Sequence, residues 1–259
     1  MKVAVIQMDI VYGNPQANFE HITSKIREAC SDQTDVIVLP ELWTTGYDLE
    51  MLDQIGDPNG EKTIEFISSL AISYHVNIVA GSVAVRKEKD VFNTMLVFDR
   101  EGNVHKEYSK VHLFRLMNEE KYLKAGNDDG HFTIDDIPAA GFICYDIRFP
   151  EWIRKHALEG AKVLFVPAEW PKPRTEHWRN LLITRAIENQ CYVVACNRVG
   201  SDPDNVFGGH SMIINPWGEI LSEADEDETT IYANIQIEEL NEFRKRIPIY
   251  EDRRTDLYE

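Results

Sequence analysis

Long hydrophobic runs are missing from this chain. No stretch approaches the ~20 apolar residues needed to cross a bilayer. The apolar start Val3–Met8 is too short for a secretory signal, and Asp9 follows it at once. Basic charge is also scarce: Lys plus Arg number 27 against 44 Asp plus Glu, a net charge of −17. Such a surface repels phosphate backbones and anionic membranes, so neither nucleic acid nor a membrane is an expected partner. There is no Asn-x-Ser/Thr sequon, no GxGxxG or GxxxxGKS/T loop and no HExxH. His112, His131, His156, His177 and His210 have no histidine partner at i,i+3 or i,i+4. No cofactor and no metal are therefore expected. Cys30, Cys144, Cys191 and Cys196 form no Cys-x-x-Cys pair. Free thiols and a cytoplasmic location are the matching expectation.

What is present is ordinary globular material: 259 residues, 43% hydrophobic, enough for a sizeable core. No linker or low-complexity tract divides it, so residues 1–259 read as one domain. The patterning predicts strands at Val3–Met8, Asp35–Leu39, Asn77–Ala84, Ala140–Cys144, Lys162–Val166, Cys191–Asn197 and Thr230–Ile235. Helical spacing covers Gln16–Cys30, Thr63–Tyr74, Pro150–Glu159, Thr175–Asn189 and Ile237–Arg246. Hairpins are expected at Asn93–Asp99 with Val104–Tyr108, and at His210–Asn215 with Glu219–Ser222. The acidic run Glu223–Glu228 reads as a solvated turn.

The second half echoes the first. DVIVLPELW (Asp35–Trp43) and KVLFVPAEW (Lys162–Trp170) are each a buried strand stopped by proline, with Glu and Trp close behind. Two such β-rich halves, each with outer helices, predict an α/β fold: a four-layer α-β-β-α sandwich of two packed mixed sheets.

Three residues invite a chemical reading. Cys144 ends an apolar strand in GFICYDIRFPE, beside polar neighbours, where Arg148 and any nearby lysine favour the thiolate. Arg148 itself is expected to brace Asp146 or Glu151. Glu41 follows Pro40 beyond the matching strand, where a buried carboxylate must be paired or used. Lys110 stands just past the first hairpin in KEYSKVHLF. Each also has a bland alternative: a core thiol, a structural glutamate, a solvated lysine. Composition and periodicity do not choose between them.

The segments LPELWTTGY, YSKVHLF and GFICYDIRFPE, in that order, closely resemble the signatures of the nitrilase superfamily, the carbon–nitrogen hydrolases. The likeness runs over almost the whole chain, to GGHSMIINPWGEIL. It implies a catalytic set with Glu41 as base, Lys110 as lysine and Cys144 as nucleophile. Glu119, seven residues before Gly126 in NEEKYLKAG, is the implied second glutamate, with Glu120 adjacent to it. The Tyr145 N–H would join Lys110 in holding the oxyanion. KVHLFRLMNEEKYLKAG resembles the ω-amidase, or 2-oxoglutaramate amidase, branch, most like bacterial members linked to methionine salvage. That implies a small-molecule amide substrate with a free carboxylate. Arg115 or Arg174 would bind it, with Trp43, Trp170 and Phe114 as walls. A homodimer through the helices near the nucleophile and Thr175–Asn189 is also implied. A nitrilase or N-carbamoyl amide hydrolase of the same fold is the rival within enzymes. A non-catalytic binding or assembly protein on this scaffold is the rival outside them.

Overall fold

The computed structural model describes residues 1–30 and 33–258. Its strands are β1 (Lys2–Gln7), β2 (Val36–Val38), β3 (Asp57–Pro58), β4 (Asn77–Lys87), β5 (Asp90–Phe98) and β6 (Val104–Ser109) in the first half. The second half supplies β7 (His131–Ile134), β8 (Ile137–Gly141), β9 (Val163–Ala168), β10 (Tyr192–Asn197), β11 (Met212–Ile214), β12 (Ile220–Glu223) and β13 (Thr229–Asn234). One sheet has the order β13-β1-β2-β4-β5-β6, with β3 against β4; the other is β12-β11-β10-β9-β8-β7. Both are mixed, with a parallel centre and antiparallel flanks.

The alternation along β1 shows why the runs are apolar throughout. Val3 and Val5 face the second sheet and join a core containing Val163, Phe165 and Val194. Ala4 and Ile6 face outward and meet Ile22, Ile26, Ile67 and Ala71 of the helices Pro15–Ala29 and Glu61–Tyr74. Burial on both faces removes any reason for a polar residue at every second position. On the far side, helices Pro150–Leu158 and Thr175–Asn189 cover the second sheet with Ile153, Ala157, Trp178, Leu182 and Ala186. The expected four-layer sandwich is the observed architecture.

Helix Pro15–Ala29 starts where the sequence allows. Asn14 caps it by accepting the Ala17 N–H, and Pro15 occupies the first turn. Helix Thr175–Asn189 has the expected bounds. The expected strand Ala140–Cys144 does not run its full length: β8 stops at Gly141, and Cys144 opens a 3₁₀ turn to Arg148. The buried Asp146 carboxylate sets that stop. It accepts the Ile143 N–H at 2.9 Å, the His112 N–H at 3.0 Å and the Tyr108 hydroxyl at 2.8 Å. These bonds fold the chain back where a strand would continue.

The echoed segments become β2 and β9, the middle strands of two parallel triplets. Their C-terminal ends meet across the sandwich, the Glu169 N–H donating to Glu41 Oε2 at 2.8 Å. The chain after β2 is held by β4, with Ser82 N–H donating to the Pro40 carbonyl and Trp43 N–H to the Ser82 carbonyl. Gly81 makes this approach possible. Its φ is +54°, and a Cβ there would lie 1.9 Å from the Pro40 oxygen.

Candidate active site

Four side chains from different elements converge on one buried point. Glu41 follows β2, Lys110 follows β6, Glu119 opens the short helix Glu119–Tyr122, and Cys144 opens the 3₁₀ turn after β8. Glu41, Lys110 and Glu119 are fully buried and Cys144 is 4% exposed. Lys110 Nζ donates to Glu41 Oε1 at 2.8 Å and to Glu119 Oε1 at 2.6 Å. The Cys144 thiol lies close enough to Glu41, Lys110 and Glu119 to feel the charge of each.

Buried charge at this density persists only when every charge has partners. Glu41 also accepts from Asn93 Nδ2 at 2.7 Å and from the Tyr47 hydroxyl at 3.3 Å. Glu119 accepts the Tyr47 hydroxyl at 2.5 Å and the Phe114 N–H at 2.7 Å. Burial alone would lower the lysine. The carboxylates of Glu119 and Glu41 overcome it and hold the ammonium well above its ordinary pKa. Burial raises the Glu119 carboxyl, with Lys110 only partly opposing.

The thiol differs from the expected thiolate. Burial raises Cys144 well above its ordinary value, and the negative Glu41 adds to this against Lys110. Arg148 and Lys110 do not outweigh desolvation. The resting group is a thiol that needs a base, and Glu41 is a carboxylate beside it. Cys144 has φ +47°, a left-handed conformation unusual for a side-chain-bearing residue and typical of strained functional turns. The Tyr145 N–H follows directly in that turn.

A narrow cleft, partly open to solvent, leads to the thiol and is lined by Phe114, Tyr145, Arg148, Glu169, Trp170, Pro171 and Arg174. The expected wall residues Phe114 and Trp170 and the cation Arg174 are here. Arg115 is exposed and outside this lining, because the 3₁₀ turn Arg115–Met117 carries it to the surface. Arg148 does not brace Asp146 or Glu151. Its guanidinium lies over the Trp170 ring at 4.7 Å, while Asp146 is taken by backbone and Tyr108. Arg174 lies over Phe114 at 5.4 Å. Among the described residues neither arginine pairs with a carboxylate. Burial, with Arg174 as a like charge, lowers the Arg148 pKa.

Trp43 also departs from expectation. It is fully buried behind the first sheet, its indole N–H donates to the Ala80 carbonyl at 2.8 Å, and its ring packs edge-on against Phe19. Replacing Trp43 with Phe should cost about 1–3 kcal/mol in stability through the lost bond and volume. The substrate KM should stay at the wild-type value. A raised KM with unchanged melting would return Trp43 to the cleft.

Tyr47, Asn93 and Glu169 were not singled out by sequence reasoning. Tyr47 lies within LPELWTTGY, and Glu169 is the glutamate of the second echoed strand, so both had a visible marker. Asn93 had none beyond its place in the hairpin. Among the described residues Asp129, His131 and His156 approach a metal-like cluster. His156 is already committed there: Nε2 accepts the Gly130 N–H at 2.9 Å and Nδ1 lies 2.8 Å from the Trp152 carbonyl.

Fold and site together define a thiol-dependent hydrolase of amide bonds. The chain belongs to the carbon–nitrogen hydrolase family, whose model matches residues 2–245. A 2-oxoglutaramate amidase of Bacillus subtilis (strain 168) is 53% identical over 256 residues, covering 99% of this chain and 98% of that protein. The omega-amidase YafV of Escherichia coli (strain K12) is 35% identical, covering 97% and 96%. Among solved structures, the CN-hydrolase superfamily protein XC1258 of Xanthomonas campestris, with an arsenic adduct in its active site, superposes with a TM-score of 0.92. It has 30% identity and covers 98% of this chain and 97% of that one.

Proposed function

We propose that this protein hydrolyses the ω-amide of a 2-oxo-dicarboxylate monoamide, 2-oxoglutaramate foremost, to the 2-oxo acid and ammonia. The observation that carries the substrate class is the pair Arg148 and Arg174: two guanidinium groups beside the thiol, without carboxylate partners among the described residues, in a chain of net charge −17. Such a pair suits the free carboxylate end of the substrate. The names of the relatives point the same way.

The geometry supports the following course of reaction. Glu41 takes the Cys144 proton as Sγ attacks the amide carbon. Lys110 Nζ and the Tyr145 N–H hold the oxyanion. The C–N bond breaks as Glu41 returns its proton to nitrogen, and ammonia leaves a thioester. Glu41 then deprotonates water, which attacks the thioester carbon; the acid departs and the thiolate regains the proton. Glu119, bonded to Lys110 and Tyr47, keeps the ammonium in place.

A cytoplasmic enzyme working as a homodimer, clearing the 2-oxoglutaramate left by glutamine transamination in methionine salvage, belongs to the same proposal. Leu158 and Ile187 leave apolar surface on the two helices that would pair, and sedimentation reads the outcome. Among the described residues no helix is long and apolar enough to cross a membrane.

Ammonia release from a panel of 2-oxo monoamides, neutral aliphatic amides, N-carbamoyl compounds and nitriles tests the substrate. Saturation is expected with the 2-oxo monoamides. Arg148→Met and Arg174→Met should each raise KM for them about 10- to 100-fold through a lost charge-assisted bond. Preference for neutral amides or nitriles, with KM unmoved in both variants, would overturn the reading.

A further inference from the structure

Among the described residues one buried carboxylate oxygen lacks a hydrogen-bond partner. Glu169 ends the second echoed strand, is fully buried and lines the cleft beside Cys144. Its Oε2 accepts from Arg198 Nη1 at 2.9 Å. Arg198 is equally buried and cannot follow Glu169 elsewhere. Its other donors reach Asp9 Oδ1 at 2.8 Å, the Ile10 carbonyl at 2.9 Å and the Val199 carbonyl at 3.0 Å. Its guanidinium also lies over the Phe207 ring at 4.2 Å. Glu169 Oε1 is buried, with no hydrogen-bond partner among the described residues. A buried oxygen in that condition is costly unless a donor arrives.

We propose that Glu169 is a specificity-determining residue whose Oε1 accepts an N–H of the substrate carboxamide. The inference rests on the amide-hydrolase reading above. A primary amide brings one carbonyl oxygen and two N–H donors. The oxygen takes Lys110 and the Tyr145 N–H. One N–H faces Glu41, which later protonates that nitrogen. The second N–H needs an acceptor, and Arg148, Arg174 and Lys110 are donors only. Glu169 Oε1 is a buried acceptor in the lining that no described residue occupies. The Glu169 backbone N–H also holds Glu41 Oε2, so the two carboxylates keep a fixed spacing around one nitrogen. Burial pushes the Glu169 carboxyl up to about 8, against Arg198, and an arriving N–H donor favours its ionised form.

An ester of the same acid has no N–H at this position, which makes the test specific. Wild type, Glu169→Gln and Glu169→Asp are compared on a 2-oxo monoamide and on its ω-methyl ester. In the Gln variant the amide oxygen must face Arg198, which only donates, so an NH₂ faces the substrate NH₂. In the Asp variant the carboxylate can keep Arg198 but withdraws from the cleft. The amide-to-ester ratio of kcat/KM is expected to fall about 10- to 100-fold in both. An unchanged ratio overturns the proposal, as does a parallel loss on both substrates in correctly melting variants, which marks a purely structural ion pair. If wild type spares the 2-oxo monoamide but cleaves another primary amide, the substrate reading fails. The same ratio on that amide and its ester then still decides the role of Glu169.

Discussion

Cys144→Ala should reduce ammonia release by about 10⁴-fold or more, the scale on which loss of a nucleophile acts. No other thiol can take over. Cys191 and Cys196 are fully buried, with their Sγ atoms directed to the carbonyls of Ala161 and Ile6. Cys30 closes the first helix on the opposite sheet's outer side, its thiol raised by burial to about 11. The variant removes one sulfur from a well-packed turn, so its melting should remain close to wild type. Mass spectrometry of wild type quenched during turnover should show the acyl adduct on the peptide bearing Cys144, and the variant none. Near-normal turnover by Cys144→Ala would end the thioester mechanism.

A second variant, Glu41→Gln, separates two ways of activating sulfur. A thiolate held by cations would react with alkylating agents at a rate independent of Glu41. Here burial and Glu41 keep the proton on sulfur, and the base beside it is that carboxylate. Iodoacetamide labelling of Cys144 should therefore slow markedly in Glu41→Gln, although that change removes a negative charge. Unchanged labelling would mean the thiolate exists before the base acts.

The sheets were legible in the sequence because two-faced burial leaves uninterrupted apolar runs, and the strand-proline-glutamate echo located the paired strands. What sequence could not show is where those strands cross. Glu41 and Glu169 are 128 positions apart, yet a single hydrogen bond joins them. The end of β8 was misread for a related reason. Phe142, Ile143 and Cys144 continue the apolar pattern, and the signal to stop lies in Asp146, whose partners Tyr108 and His112 come from another segment. Trp43 and Trp170 show the limit for aromatics. Both follow an echoed glutamate, but the first turns into the layer beneath Phe19 and the second into the cleft. The arginines divide likewise: Arg115 and Arg174 look equal in sequence, and only Arg174 has an aromatic ring holding it over the cleft.

Lys110→Met should be the most damaging single change that leaves the nucleophile in place. It removes one oxyanion donor, worth about 10²–10³-fold in kcat. It also strips two buried carboxylates of their shared cation, at a cost of about 3–5 kcal/mol. The pH dependence distinguishes this from a simple packing defect. In wild type the lysine's folded pKa is raised, so its contribution is present below the unfolded value and lost only as pH rises through the folded one. Across neutral pH it is intact. In the variant Glu119, already raised by burial with Lys110 opposing, loses that opposition. A carboxyl that binds its proton more tightly folded than unfolded makes stability fall as pH rises. The melting deficit of Lys110→Met relative to wild type should therefore be largest near pH 8 and shrink towards pH 5, where Glu119 can be neutral. Thermal denaturation across that range, followed by circular dichroism, reads it directly. A deficit constant with pH would mean that Lys110 fills space between Glu41 and Glu119 without carrying their charge.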